Sequence, residues 1–222
     1  MKFVDVNGDG VIDDNDRTFI GNPNPDFYYG FNINMEYKGF DLSMFFQGVA
    51  GNEIYDVTRY FRYSNVSYSG GWENLNYLSF SNVSEDYFDK VWRPVPDPAN
   101  PSYRDHWGAN LNGTVPLPSS DGTKNEMNFR NSDFYVQDGS YLRLKNIQLG
   151  YTFPKKWVNK LSVSNLRVYA SATNLFTITS YDGLDPEVGK TSGQESNNLY
   201  LGIDQGVYPQ ARSYMFGVII DF

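Results

Sequence analysis

The sequence contains no cysteine. That excludes disulfide staples, thiol nucleophiles and thiolate-held zinc. Histidine occurs once, as His106. It lies in a proline-rich polar stretch with no nucleophile and orienting partner marked out beside it, so it reads as a loop residue rather than a catalytic base. No stretch approaches the roughly 20 apolar residues of a membrane-crossing helix. Met1 leads through Phe3-Val4-Asp5 straight into a polar loop, with no secretory leader; for an exported protein this implies a fragment whose N-terminal part is elsewhere. Positive charge is also scarce: 18 Lys and Arg stand against 26 Asp and Glu, a net −8. A phosphate-tracking surface needs clustered cations, so nucleic acid is excluded as a partner.

What the chain has in quantity is aromatic residues, 18 Tyr and 16 Phe in 222 positions, at a mean hydropathy of −0.52. A strand with one face in lipid and one in water produces this mixture of aromatic and polar side chains. A soluble aromatic-rich β-sandwich produces it too.

The pattern along the chain is period two, the signature of strands. Phe27, Tyr29, Phe31, Ile33, Met35 and Tyr37 alternate with Tyr28, Gly30, Asn32, Asn34 and Glu36. After a tight turn at Lys38-Gly39, Phe40, Leu42, Met44 and Phe46 alternate with Asp41, Ser43, Phe45 and Gln47. A third strand is predicted from about Ser140 to Phe153, with Ile147, Leu149, Tyr151 and Phe153 on its apolar face. A fourth runs from about Asn165 to Thr177, and a fifth ends the chain, with Tyr214, Phe216, Val218, Ile220 and Phe222 on one side. The strands approach the roughly 9–11 residues of a tilted membrane strand. Aromatics gather near their ends (Phe27 and Tyr37, Tyr151 and Phe153, Tyr214 and Phe222), where the girdles of a membrane barrel belong.

The connections sort by length. Lys38-Gly39 and 154–164 are short; 51–139 and 178–211 are long. Outer-membrane barrels have short periplasmic turns and long extracellular loops, and a periplasmic Phe222 puts every link on its proper side. The expected fold is therefore all-β: antiparallel strands of a large transmembrane β-barrel with long extracellular loops. The segments are an extracellular loop 1–25, a β-hairpin 26–50, a long extracellular loop 51–139, a strand pair 140–177, an extracellular loop 178–211 and a terminal strand 212–222. Within the longest loop, Glu85 to Trp92 reads as a short helix, with Ser84 as its N-cap and prolines from Pro94 onward to stop it.

One motif carries chemistry. Asp5, Asn7 and Asp9 fall at positions 1, 3 and 5 of a calcium-loop pattern, Gly10 at the sharp turn, and Val11 where a carbonyl ligates. Asp13 sits at position 9 and Asp16 at position 12. Ca2+ wants six to eight oxygens, and a twelve-residue loop so spaced supplies them. Asp16 replaces the usual longer Glu, and no flanking helices are evident. The expected role is structural, stiffening an outer loop.

These pieces, taken in order, resemble one family. Asp5 to Ile12, Asp16-Arg17, Ile20-Gly21-Asn22-Pro23 and Tyr37-Lys38-Gly39-Phe40-Asp41-Leu42 resemble the C-terminal region of SusC/RagA-type TonB-dependent transporters. So do Gly139 to Asn146, Leu149-Gly150-Tyr151, Asn174-Leu175-Phe176, Tyr181 to Glu187, Tyr208-Pro209 and the terminal Phe222. The resemblance implies an outer-membrane barrel of about 22 strands enclosing a plug. It implies a SusD-like surface lipoprotein as partner, energy from a TonB complex through a missing N-terminal part, outer-membrane lipid around the wall, and an oligosaccharide or peptide as cargo. Gly217, Ile220 and Phe222 also resemble a barrel-assembly signal, with Met215 where a polar residue is expected.

Two other readings compete with transport. One is a soluble calcium-dependent carbohydrate-binding β module, whose Trp72, Trp92 and Trp107 could stack on sugar rings. The other is a glycosidase with paired carboxylates, for which nothing in the acidic residues singles out a pair.

Overall fold

The computed structural model describes residues 3–63, 66–68, 78–80, 87–100, 107–117, 130–161, 163–188 and 201–222. His106, Trp72 and Ser84 lie outside them. The chain divides into two compact units, one of Met1–Ile20 with Asp56–Val136 and one of Gly21–Tyr55 with Gln137–Phe222. Its strands are β1 Phe27–Tyr37, β2 Phe40–Ala50, β3 Glu53–Asp56, β4 Val66–Tyr68, β5 Leu78–Phe80, β6 Val136–Asp138, β7 Tyr141–Thr152, β8 Asn165–Thr173, β9 Thr177–Thr179, β10 Ile203–Asp204 and β11 Ser213–Asp221. No helix among the described residues is long and apolar enough to cross a membrane.

The second unit is built on one antiparallel sheet in the order β1-β2-β7-β8-β11, with β9 also paired to β7. The β1–β2 turn has positive φ at both Lys38 (49°) and Gly39 (90°). This is the twist-matched two-residue hairpin geometry that glycine accommodates best. Register then keeps like with like. Ile33, Met44, Ile147, Ala172 and Tyr214 form one cross-strand row on the apolar side; Asn34, Ser43, Gln148 and Ser171 form a row on the polar side. β1 and β11 each pair on one side only within this sheet.

The apolar side is not a core. Phe27, Met35, Tyr37, Phe40 and Leu149 are exposed, and Phe216 is 83% exposed. A sandwich would bury such a face under a second sheet. This one stays open.

Alternation in β7 breaks once. Phe45 pairs with Asn146 and Phe46 with Leu144, so Lys145 is an extra residue, a β-bulge. Unbroken alternation from Ile147 would carry Lys145, Arg143 and Tyr141 to the apolar side. The bulge reverses the parity, so Arg143 lies opposite Gln47 on the polar side. The neighbouring strand bends at the same level. β8 ends at Thr173, short of the predicted Thr177, because Asn174 takes a left-handed conformation (φ 50°). Asn and Gly tolerate that region best. The N–H groups of Asn174 and Leu175 still donate to the carbonyls of Lys145 and Leu144, and the chain rejoins β7 as β9.

Above this bend lies a buried polar knot. Arg143 is 2% exposed. It donates to Asp185, to Glu187 and to the Thr177 hydroxyl, and Lys145 donates to Glu187 at 2.8 Å. Asp185 also accepts the N–H groups of Glu187 and Gln210. Buried Asp204 accepts the Tyr181 hydroxyl and the N–H groups of Gly206 and Val207. Burial pushes the Asp185 carboxyl upward. The Gln210 and Glu187 N–H groups and the Arg143 guanidinium outweigh it and hold the acid below its ordinary value.

The first unit has a small core of Tyr87, Val91 and Val115, with Leu117 and Phe134 packed against it. The helix predicted over Glu85–Trp92 is one turn, Tyr87–Lys90. It stops because the Lys90 carbonyl takes the N–H groups of Thr114 and Val115, and Val91 and Arg93 pass into bridges with Val115 and Asn110.

Two outcomes test these assignments. Gly39→Ala forces a side chain into a left-handed turn and is expected to cost about 1–2 kcal/mol, whereas Lys38→Gly costs little; urea unfolding in lipid vesicles reads both. Arg143→Met leaves the buried Asp185 carboxylate without its cation and is expected to cost about 3–5 kcal/mol, much of it recovered in Arg143→Met with Asp185→Leu. Because the Asp185 carboxyl is held low, its contribution is complete above the unfolded value of about 3.9 and is lost only as pH falls through the lower folded value. Proteolysis of the 181–188 segment that increases already between pH 7 and pH 5 would count against this pairing.

Candidate functional site

The predicted metal loop folds around its own backbone. Gly8 and Gly10, with φ of 78° and 84°, turn the chain so that their N–H groups both donate to Asp5. Asn7 and Asp9 are tied to each other, and Asp9 also accepts the Val11 N–H. Asp13 caps the short helical turn Asp14–Asp16, and Asp16 reaches back to the Asp13 N–H, a reciprocal capping box. Asp16 also accepts the Val6 N–H at 2.8 Å. The bond from the Asp13 N–H is the largest influence holding the Asp16 carboxyl below its ordinary value, ahead of the weaker effects of Val6, Asn7 and Asp5.

The loop thus links all five predicted side-chain ligands, Asp5, Asn7, Asp9, Asp13 and Asp16, by short local hydrogen bonds, with Val11 anchored through its N–H. Among the described residues, no group of three or more His, Cys, Asp or Glu side chains is placed to hold a metal ion.

The polar side of the sheet holds residues that the sequence pattern did not mark as a site. Arg167 on β8 crosses over β7 to make a two-point ion pair with Asp41 on β2. The crossing needs Gly150: a Cβ there would lie 2.4 Å from Arg167 Nη2 and 2.5 Å from Asp41. In the same way the Tyr169 ring lies over Gly217, where a Cβ would come within 2.3 Å of it. The other missed residues are Arg143, Lys145, Asp185 and Glu187. Their one signal was an arginine and a lysine at positions whose parity pointed them to the apolar side.

No protein-family model matches the chain. Over 99% of its length it is 33% identical to a TonB-dependent receptor of Formosa agariphila, of which it spans 19%. Over the same share it is 32% identical to the TonB-dependent receptor SusC of Bacteroides thetaiotaomicron, of which it spans 17%. It also aligns with a solved structure of the RagAB peptide importer in the closed-closed state, with a TM-score of 0.55 at 22% identity, covering 92% of this chain and 18% of that one. At that identity the likeness concerns the fold. The chain therefore spans about a fifth of the length of the curated relatives it matches. With similarity running through the whole chain, and an antiparallel sheet of the kind a TonB-receptor barrel wall requires, the chain belongs to the SusC/RagA-type TonB-dependent receptors.

Proposed function

We propose that this chain is a stretch of wall and outer loops of an outer-membrane nutrient importer. The observation that carries the reading is an amphipathic sheet with its apolar side exposed, in which β2, β7 and β8 have neighbours on both sides and β1 and β11 on one. In lipid every backbone polar group must be satisfied within the protein, so a spanning sheet has to close on itself. β1 and β11 then pair with further strands of a barrel of about 22. Phe216, Leu149 and Met35 face lipid; Gln148, Ser171 and Arg167 face the lumen.

The short links Lys38-Gly39 and 153–164 lie in the periplasm with Phe222, and the long connections lie outside the cell. The rest of the same transporter completes the wall, and its plug fills the lumen. A SusD-like lipoprotein caps the barrel, and a TonB complex energises it. The cargo is an oligosaccharide or a peptide; RagAB is a peptide importer. The relatives are receptors, and the reading includes no catalytic step. A soluble sugar-binding module has no use for an uncovered apolar face of this extent.

Ca2+ belongs to the proposal as a structural ion. Asp5, Asn7, Asp9, Asp13 and Asp16 with the Val11 carbonyl would hold it, since hard oxygen donors suit calcium and a carboxylate oxygen with one N–H bond keeps a lone pair.

Single-cysteine labelling tests the wall, because the chain has no cysteine of its own. In outer-membrane vesicles, Val218→Cys is expected to react with a lipid-soluble maleimide and not with a charged one. Gln148→Cys and Ser171→Cys are expected to show the reverse. Equal reaction of both sides with the charged reagent sinks the barrel reading. For the ion, titration of the purified protein with Ca2+ or Tb3+ is expected to show one site that Asp5→Asn or Asp9→Asn weakens at least roughly tenfold, or about 1.4 kcal/mol. An unchanged titration in both variants removes calcium from the account.

A further inference from the structure

The two short links of the second unit meet at one end of the sheet. The Thr152 N–H at the end of β7 donates to the Gly39 carbonyl of the β1–β2 turn at 2.8 Å, and the Phe153 N–H donates to the Leu166 carbonyl beside the second link. These links carry Lys38, Lys155, Lys156 and Lys160, all four exposed. From Tyr151 to Leu166 there are three lysines and no acid, in a chain of net charge −8. The side-chain acids that reach this end of the strands, Glu36, Asp41 and Asp221, stand on the polar side by register, and Asp41 is engaged by Arg167.

On the apolar side the same end is aromatic. Tyr37, Phe40 and Tyr151 form one cross-strand row that continues through Val168 and Val218. Ring centroids are 4.5 Å apart for Phe40 and Tyr151, 5.0 Å for Tyr151 and Phe153, and 6.4 Å for Phe153 and Trp157. Trp157 lies on the single helical turn Lys155–Val158. Val158 pins that turn at 1% exposure, while Trp157 stays 59% exposed. Lys38 Nζ sits 5.0 Å from the centre of the Tyr37 ring. Rings with lysines beside them suit the level of lipid headgroups, where an aromatic body rests at the apolar boundary and an ammonium reaches past it.

Next to the aromatic row the apolar side is grooved. Leu149 and Tyr151 on β7, and Phe216 and Val218 on β11, flank the smaller Val168 and Ala170 on β8, and the space between them is about 480 Å3. With strands about 4.8 Å apart, the two flanking rows are roughly 10 Å from each other, wide enough for a hydrocarbon chain. Phe40 also lines this groove, so it opens onto the aromatic row. Each class of occupant meets that set differently. A free phosphate or an acidic protein segment would use the lysines and leave the groove empty. An apolar molecule would fill the groove and leave the lysines unused. A lipid with an anionic headgroup uses both, because its phosphate and its chains join at the boundary that the rings mark.

We propose that this end of the sheet holds an anionic phospholipid, with its phosphate among Lys38, Lys155, Lys156 and Lys160 and an acyl chain along the groove over Val168 and Ala170. The lipid belongs to the leaflet on the side of the short links. The inference rests on the wall reading above and adds to it a headgroup charge and a place.

The test uses the whole transporter in a nonionic detergent, titrated with phosphatidylglycerol or phosphatidylcholine of identical chains; native mass spectrometry counts the lipid retained. Phosphatidylglycerol is expected to bind at least roughly tenfold more tightly. Lys155→Gln, Lys156→Gln and Lys160→Gln together are expected to bring the two lipids within about twofold of each other. Arg167→Gln, at the same level on the polar side, keeps the full preference. Ala170→Phe, which fills the groove, weakens both lipids and leaves their ratio unchanged. Equal retention of the two lipids by the unaltered protein overturns the proposal, and that result needs no variant to fold. A preference that survives the triple substitution overturns it too. So does displacement of phosphatidylglycerol by millimolar inorganic phosphate or by micromolar polyglutamate, which would make the surface a free-phosphate or acidic-protein site. Equal retention with the cysteine pattern of the wall intact removes this lipid site alone; a failed cysteine pattern removes the wall reading and this site with it.

Discussion

The extra residue at Lys145 decides which side of the sheet the charged end of β7 faces. A strand that alternates strictly for twelve residues would send Arg143 and Lys145 outward among Leu149 and Phe216. With the bulge, β7 is apolar-out where it pairs with β8, and at its other end it turns a buried arginine toward the polar side. The Arg143 knot, the bend at Asn174 and the docking of 181–188 all follow from that shift. A bulge is inexpensive in backbone terms because the extra residue still finds a partner: here the Lys145 carbonyl accepts the Asn174 N–H at 3.0 Å.

The knot does for the loops what apolar packing does for a globular core. Among the described residues of the second unit, Arg143 and Asp204 are about as enclosed as the apolar Ile54 and Val158. An arginine in such a place is tolerated because each charge is met more than once. The fork of Arg143 spans two acids and a hydroxyl, and Asp185 adds two backbone donors. The arrangement is directional, so it sets the position of the 181–188 and 203–210 segments rather than merely compacting them. The first unit solves the same problem on a smaller scale with Arg93 and Asn110.

Much of this was legible in the chain, and the reason is local. Phe31, Ile33 and Met35 against Asn32 and Asn34 report a strand and its two faces without any knowledge of partners, and Lys38-Gly39 reports its turn. What period two cannot report is a break in its own phase. The bulge at Lys145 depends on which strand lies beside β7, and Asp185 is 42 positions from Arg143. The helix at Tyr87 was read too long because its end is set by Val115, not by the residues that follow it. The 5–16 loop adds backbone detail that spacing does not give: its side chains accept nearby N–H groups, as Asp5 does from Gly8 and Gly10.

Gly150 and Gly217 have a consequence beyond the side chains they admit. With no Cβ at either position, Arg167 and Tyr169 lie across the neighbouring strands instead of standing off them. The polar side of the wall is therefore low in relief at that level. Whatever packs against it at that level meets backbone and flattened side chains.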